Sequence, residues 1–169
     1  MAQRANDQES VDKLSTLGVP PYDDAKNEGQ LLRIIKKYEK ENSIPAPDSW
    51  WKLAAEYDNE KDAKHRYDGD DYSFINYAGH KKMGIKSMVA GVDFMKNGLH
   101  FKIPVYLIQG EEDILTSKKL TKVYFDKLKA PKKEFFLSPG AAHGPNQSVI
   151  DIQYKIVKEL SLNKELVNK

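Results

Sequence analysis

The last third of the chain alternates two kinds of apolar pattern. Pro104 to Gln109 (PVYLIQ) and Lys133 to Leu137 (KEFFL) are short runs rich in apolar residues. The first is opened by proline and closed by glycine, the second closed by Ser138-Pro139-Gly140. Runs of this length between turn residues predict buried strands. Between them, Ser117 to Lys129 places Leu120, Val123, Tyr124 and Leu128 at helical spacing, with Thr116 or Ser117 as N-cap and Pro131 beyond the end. Gln147 to Leu160 repeats that period with Val149, Ile150, Ile152, Ile156, Val157 and Leu160. Strand, helix, strand, helix is the order of parallel strands joined by a right-handed crossover.

Upstream the period is helical throughout. A polar helix over 5–17 carries Val11, Leu14 and Leu17 and is expected to end near Gly18, since the prolines of Gly18-Val19-Pro20-Pro21-Tyr22 cannot continue it. Glu28 to Lys40 sets Leu31, Leu32, Ile34, Ile35 and Tyr38 on one broad face, an amphipathic helix. After the loop Asn42 to Pro47, Asp48 or Ser49 caps a segment with Trp50, Trp51, Leu53, Ala54 and Tyr57. Its tryptophans are expected to pack one helix against another, or else to line an aromatic pocket. Asp58 to Asp71 reads as a solvated helix end or a mobile connector, and Tyr72 to Tyr77 (YSFINY) as either helix or strand. Met83 to Met95 predicts a helix whose Ile85, Met88, Val89, Val92 and Met95 pack in the core, or else form a plastic Met-rich substrate or partner surface, despite Gly84 and Gly91. Asn97-Gly98 ends it. The expected fold class is therefore α/β, with a helical region over residues 1–98 and a β-α-β-α unit with parallel strands over 99–169.

Composition narrows the function. The 169 residues carry 27 basic and 25 acidic side chains, a net charge of +2 with no block of like charge, so nothing favours nucleic acid. There is no cysteine, which removes disulfide and thiol chemistry. No stretch approaches the ~20 apolar residues of a membrane span, and MAQRANDQES lacks the apolar core of a signal peptide, so a cytoplasmic protein that avoids membranes is expected. Asp62, His65, Asp68, Asp70 and Asp71 follow neither an EF-hand nor a two-histidine spacing; no metal and no cofactor is expected.

Candidate chemistry lies behind the two strands. In parallel sheets, ligands and catalytic groups gather at the carboxyl ends of the strands. Asp113, in Gly110-Glu111-Glu112-Asp113, and His143, in Gly140-Ala141-Ala142-His143, both fall there. An aspartate that orients an imidazole while the imidazole moves a proton is the pairing such positions suit. The plainer alternative makes Asp113 a loop residue capping the next helix and His143 a surface histidine. His65, His80 and His100 are expected on surfaces or in loops.

The stretch IPVYLIQGEEDILTS followed by PGAAHGPNQSVID resembles the end of an α/β-hydrolase, where Gly-x-x-Asp after one strand supplies the triad acid and the next strand supplies the histidine. The order acid-then-histidine agrees with that fold. Leu17-Gly18-Val19-Pro20-Pro21-Tyr22 after a polar helix is similar to the start of the helical cap in proline iminopeptidase-like members. The resemblance implies that Asp113 is the acid, His143 the base, residues 1–98 a cap-like region, and the substrate a small ester, amide or peptide. Glu56, Asp58 and Glu60 are the carboxylates available to hold an α-amino group, or simply form a solvated acidic face. The Gly-x-Ser-x-Gly elbow and the glycine-rich oxyanion loop have no counterpart: Gly84-Ile85-Lys86-Ser87 has the wrong spacing, and Ser138 ends a strand.

The expectation is thus a partial α/β-hydrolase, with acid and base but no nucleophile in this chain, nearly inactive alone. The alternative is a non-catalytic binding or assembly module derived from that fold. Either way, Pro104 to Gln109 presents an unpaired apolar edge. A homo-oligomer through that edge, or a complementing upstream fragment, is the expected partner.

Overall fold

A computed structural model describes residues 1–20, 22, 24–39 and 41–167. Pro21 and Lys40, used in the readings above, lie outside the described residues. The chain divides into two compact units, Met1–Tyr38 with Trp51–Asp93, and Glu39–Trp50 with Phe94–Lys169. The class is α/β, helices with one small parallel sheet.

In the first unit, helix α1 (Gln8–Leu17) starts at Asp7, whose side chain accepts the Ser10 N–H, and stops where the Gly18 N–H donates to Leu14 O. Gly18 has φ +73°, a left-handed conformation that glycine adopts without strain. Helix α2 (Ala25–Glu39) is tied to α1 through Asp7, which accepts from Lys37 Nζ and the Tyr38 hydroxyl, both at 2.5 Å. Lys37 is the largest influence in holding the Asp7 carboxyl far below the usual carboxylate range. Helix α3 (Glu60–Ala78) starts at Asn59, whose side chain accepts the Asp62 N–H. It runs on through Gly69 and all of Tyr72–Tyr77, so the charged segment and the aromatic one are a single helix. Phe74 lies against Gly29 of α2.

Two expectations for this region fail. Residues 48–57 form no continuous helix, only 3-10 turns at Asp48–Trp51 and Ala55–Tyr57. Without a helical face there is nothing for the tryptophans to pack, and Trp51 is 67% exposed. Met83–Met95 is not a helix either. Gly84, at φ +69°, closes a 3-10 turn over Lys81–Met83, and only Phe94–Asn97 (α4) is helical. Met88 is 72% exposed, so this stretch supplies no core.

The second unit carries the sheet. Strands β1 (Val105–Gly110) and β2 (Lys133–Ser138) are parallel, in register from Val105 opposite Lys133 to Gly110 opposite Ser138. Helix α5 (Lys118–Lys127) connects them, and α6 (Gln147–Val167) follows. Side chains alternate between the faces of a strand. Phe135 meets Phe125 of α5, with ring centroids 5.6 Å apart, and Ser138 bonds to Ser148 of α6. The helices therefore cover opposite faces of the sheet, and Leu128, Ala141 and Ile156 are buried with it.

Segment Glu39–Trp50 belongs to this unit, whereas the sequence reading drew one boundary after residue 98. Ile44 N–H donates to Gly140 O at 2.8 Å, and Asn146 Nδ2 donates to Ile44 O at 3.0 Å. These are contacts between segments 100 residues apart, which no local pattern encodes.

Gly110 decides how the loops after the strands meet. A Cβ there would lie 2.1 Å from Ala142 O and 2.3 Å from Ala141 O, both backbone atoms. Only glycine lets these segments pass so closely. Gly110→Ala is expected to lower stability by about 3 kcal/mol or more, through overpacking against backbone. Gly69→Ala, with open space around its Cβ within α3, should gain about 0.5–1 kcal/mol from helix propensity. Urea denaturation of the two variants checks the contrast, and equal effects would refute it.

Candidate functional site

Asp113 and His143 meet beyond the carboxyl ends of β1 and β2. Asp113 follows the last residue of β1 by three positions, and His143 follows the last residue of β2 by five. The two loops are joined by backbone bonds: Glu111 N–H donates to Ser138 O and Glu112 N–H to Ala141 O, both at 2.9 Å. Asp113 Oδ2 then lies 3.2 Å from His143 Nδ1.

The carboxylate is enclosed and fully engaged. Its side chain is 4% exposed, against 49% for His143. Oδ1 accepts the N–H groups of Leu115 and Thr116, each at 2.9 Å, and Oδ2 accepts the Thr116 hydroxyl as well as His143. Burial by itself raises the carboxyl's pKa, yet the bonds from the Thr116 hydroxyl, the Thr116 N–H and His143 together outweigh it. The net shift is downward. Asp113 therefore stays ionised at neutral pH.

An ionised carboxylate only accepts, so Nδ1 of His143 donates to it, and in the neutral ring the lone pair is at Nε2. Thr116 Oγ1 is also 3.3 Å from Nδ1, which centres the ring on the Asp113–Thr116 pair. Nε2 has no hydrogen-bond partner among the described residues, and the ring is half exposed. The arrangement can therefore take up and return a proton at Nε2 while Asp113 stabilises the imidazolium.

Beside the pair lies a cleft of about 550 Å³, bounded by Tyr106 to Gly110 of β1 and by Asp113, Thr116 and His143. The buried Gln109 donates through Nε2 to Thr116 O at 2.8 Å, so it braces the same loop from the strand side.

The remaining candidates stand elsewhere. Ser138 is fully buried, and its hydroxyl pairs with that of Ser148, so it terminates the strand and offers no nucleophile. Ser87 belongs to the first unit, its hydroxyl donating to Tyr77 O at 2.7 Å. Glu56, Asp58 and Glu60 are exposed around the turn that leads into α3. Asp68 pairs with Lys64 and Asp62 accepts from Asn59, and among the described residues no three His, Asp or Glu side chains gather as metal ligands. His65 and His100 are exposed; His80 is half-buried and accepts from Met83 N–H at 3.3 Å. Among the described residues no helix is long and apolar enough to cross a membrane.

Thr116 was expected only as a helix cap. Its hydroxyl goes to Asp113 instead, and Ser117 stands at the N-cap of α5 without a side-chain capping bond. A hydroxyl three residues after an aspartate is the signal that was available, since that spacing suits a local side-chain bond. Glu39, which accepts the His143 backbone N–H, carried no local signal at all.

The chain was compared with family models, with curated proteins and with solved structures, and it matches none of them.

The depressed pKa of Asp113 ties stability to pH. The unfolded carboxyl, near 3.9, takes up its proton before the folded one as pH falls. The contribution of Asp113 is thus complete above about pH 4 and is lost as pH drops through the folded value. Asp113→Asn is expected to be less stable than the parent at pH 7, with the gap closing below about pH 4. Denaturation midpoints at pH 7, 5 and 3 check this, and a gap independent of pH would refute it.

Proposed function

We propose that this chain is the acid-and-base portion of an α/β-hydrolase similar to proline iminopeptidases, acting on a small ester, amide or peptide. The observation that carries the reading is the buried, ionised Asp113 3.2 Å from His143 Nδ1, beyond the ends of two parallel strands. The first unit, Met1–Tyr38 with Trp51–Asp93, takes the role of the helical cap. The nucleophile is a serine supplied from outside this chain, because Ser138 is buried and no elbow motif occurs.

The chemistry assigned to these residues is acyl transfer. Nε2 of His143 takes the proton of the serine hydroxyl as its oxygen attacks the substrate carbonyl carbon. The imidazolium then gives that proton to the departing alcohol or amine as the bond to it breaks. Water, deprotonated at the same nitrogen, releases the acid and restores the serine. Asp113 holds Nδ1–H throughout and stabilises the charged ring. No cofactor enters.

The serine-bearing segment has a place to dock. Val105 N–H donates to Lys132 O and Glu111 N–H to Ser138 O, so the odd-numbered positions of β1 bond towards β2. In a parallel ladder the alternate residues, Tyr106 and Ile108, present their N–H and C=O to the opposite edge. Among the described residues no strand pairs with that edge. A further strand there would lie along the cleft that adjoins His143.

A second reading makes the same edge the surface of a non-catalytic assembly module. Its favouring observation is exposed apolar surface on the two helices that flank the sheet: Leu120 and Val123 of α5, and Tyr154 and Val157 of α6, are 48–71% exposed.

Two measurements test these readings. The purified chain is expected to hydrolyse a proline aryl-amide no faster than its His143→Ala variant. Activity lost in the variant would reveal a nucleophile within the chain and overturn the divided triad. Light scattering at micromolar concentration is expected to show self-association through the open edge, with Ile108→Pro returning the chain to monomer. Proline removes one outward N–H and is tolerated on edge strands. A parent chain already monomeric would argue against this edge as a pairing surface.

A further inference from the structure

Glu39 is the last residue of α2, and its Oε1 accepts the backbone N–H of His143 at 2.6 Å, across 104 positions of sequence. It begins a segment that grips the histidine loop at three points. Ile44 N–H holds Gly140 O, Asn146 Nδ2 holds Ile44 O, and Glu39 holds the N–H midway between them. Gly140 has φ +65°, and a Cβ there would meet Ile44 Cδ1 at 2.8 Å, so the Ile44 side chain lies directly over that residue. Asn146, 3% exposed, also accepts the Ser148 N–H through Oδ1, anchoring the far end of the loop to the start of α6.

We propose that Glu39 is a positioning residue for His143, its carboxylate fixing the backbone from which the imidazole reaches Asp113. This rests on the reading of Asp113 and His143 as an acid–base pair. The ring is held on one side only, by Asp113 and Thr116, and half of it is exposed. A side chain anchored solely at its tip can keep that contact while its backbone shifts, which moves Nε2. Fixing the N–H next to the Cα removes that freedom. The bond joins a full negative charge to a backbone donor, which makes it stronger than a bond between neutral groups. Water can replace it at so exposed a residue, so its loss falls on geometry more than on folding.

The test uses the whole chain and needs no activity. In Glu39→Ala, hydrogen exchange at the His143 amide is expected to rise about 10-fold or more, the factor of a charge-assisted hydrogen bond. The far-downfield proton resonance of His143 Nδ1–H on Asp113 should weaken at the same time, with the urea midpoint nearly unchanged. Glu39→Gln keeps an acceptor oxygen and should restore both signals in large part. Unchanged exchange in Glu39→Ala, or an undiminished Nδ1–H resonance, would overturn the proposal. So would failure of Glu39→Gln to differ from Glu39→Ala. These signals arise whether or not the pair performs hydrolysis, so failure here and failure of the hydrolase reading are told apart.

Discussion

The site depends on how closely the backbone of Ala141 and Ala142 passes the end of β1. With any side chain at position 110 the carbonyls of that loop would be pushed away. The bonds of Glu111 to Ser138 and of Glu112 to Ala141 would then be lost, and Asp113 and His143 would separate. The glycine therefore keeps Asp113 and His143 together without touching either side chain. Its Gly-x-x-Asp spacing follows from the same constraint: one residue to allow the approach, two to turn the chain, and a carboxylate delivered beside the neighbouring loop.

Once the loops are in contact, electrostatics decides the state of the pair. Burying a carboxylate disfavours its charge, and an isolated Asp113 would drift toward the neutral form. The Thr116 hydroxyl, the Thr116 N–H and the histidine reverse that. The outcome is an anion that loses little to water, because water hardly reaches it, and that directs its remaining lone pair at Nδ1. Thr116 is central to this balance. It supplies both a backbone and a side-chain donor, and its hydroxyl also lies within reach of the ring.

The strand-helix-strand-helix order of the second unit was legible because each element there has its own period and its own turn residues. β1, α5 and β2 lie within two residues of where the pattern puts them, α6 starts at the expected Gln147 but runs to Val167 rather than Leu160, and Asp113 and His143 follow the strands as expected. Legibility failed where apolar spacing was read without the backbone. Trp50 to Tyr57 and Met83 to Met95 both carry helical spacing, yet 3-10 turns and the left-handed Gly84 interrupt the chain. Spacing shows where side chains would fall if a helix formed, not whether it forms; at Met83 to Met95 the positive φ of Gly84 breaks the helix near its start. Of the two N-cap candidates Ser117 takes the position, and Thr116 gives its hydroxyl to Asp113 three residues back, the other local use open to a residue just before a helix. Glu39 was beyond reach, since only the fold brings position 39 to position 143.

A sheet of two parallel strands is an unusual end point for a chain. Parallel strands are found where both faces are covered and further strands continue the ladder. Here α5 and α6 cover the faces, while β1 keeps one edge whose backbone donors and acceptors have no ladder partner among the described residues. Water can satisfy those groups, but it cannot cover Ile103 beside them or Leu120 and Val123 on α5, which lie 48–71% exposed. A strand added at this edge would satisfy the polar groups. Such a strand would lie along the cleft that Tyr106 to Gly110 share with His143.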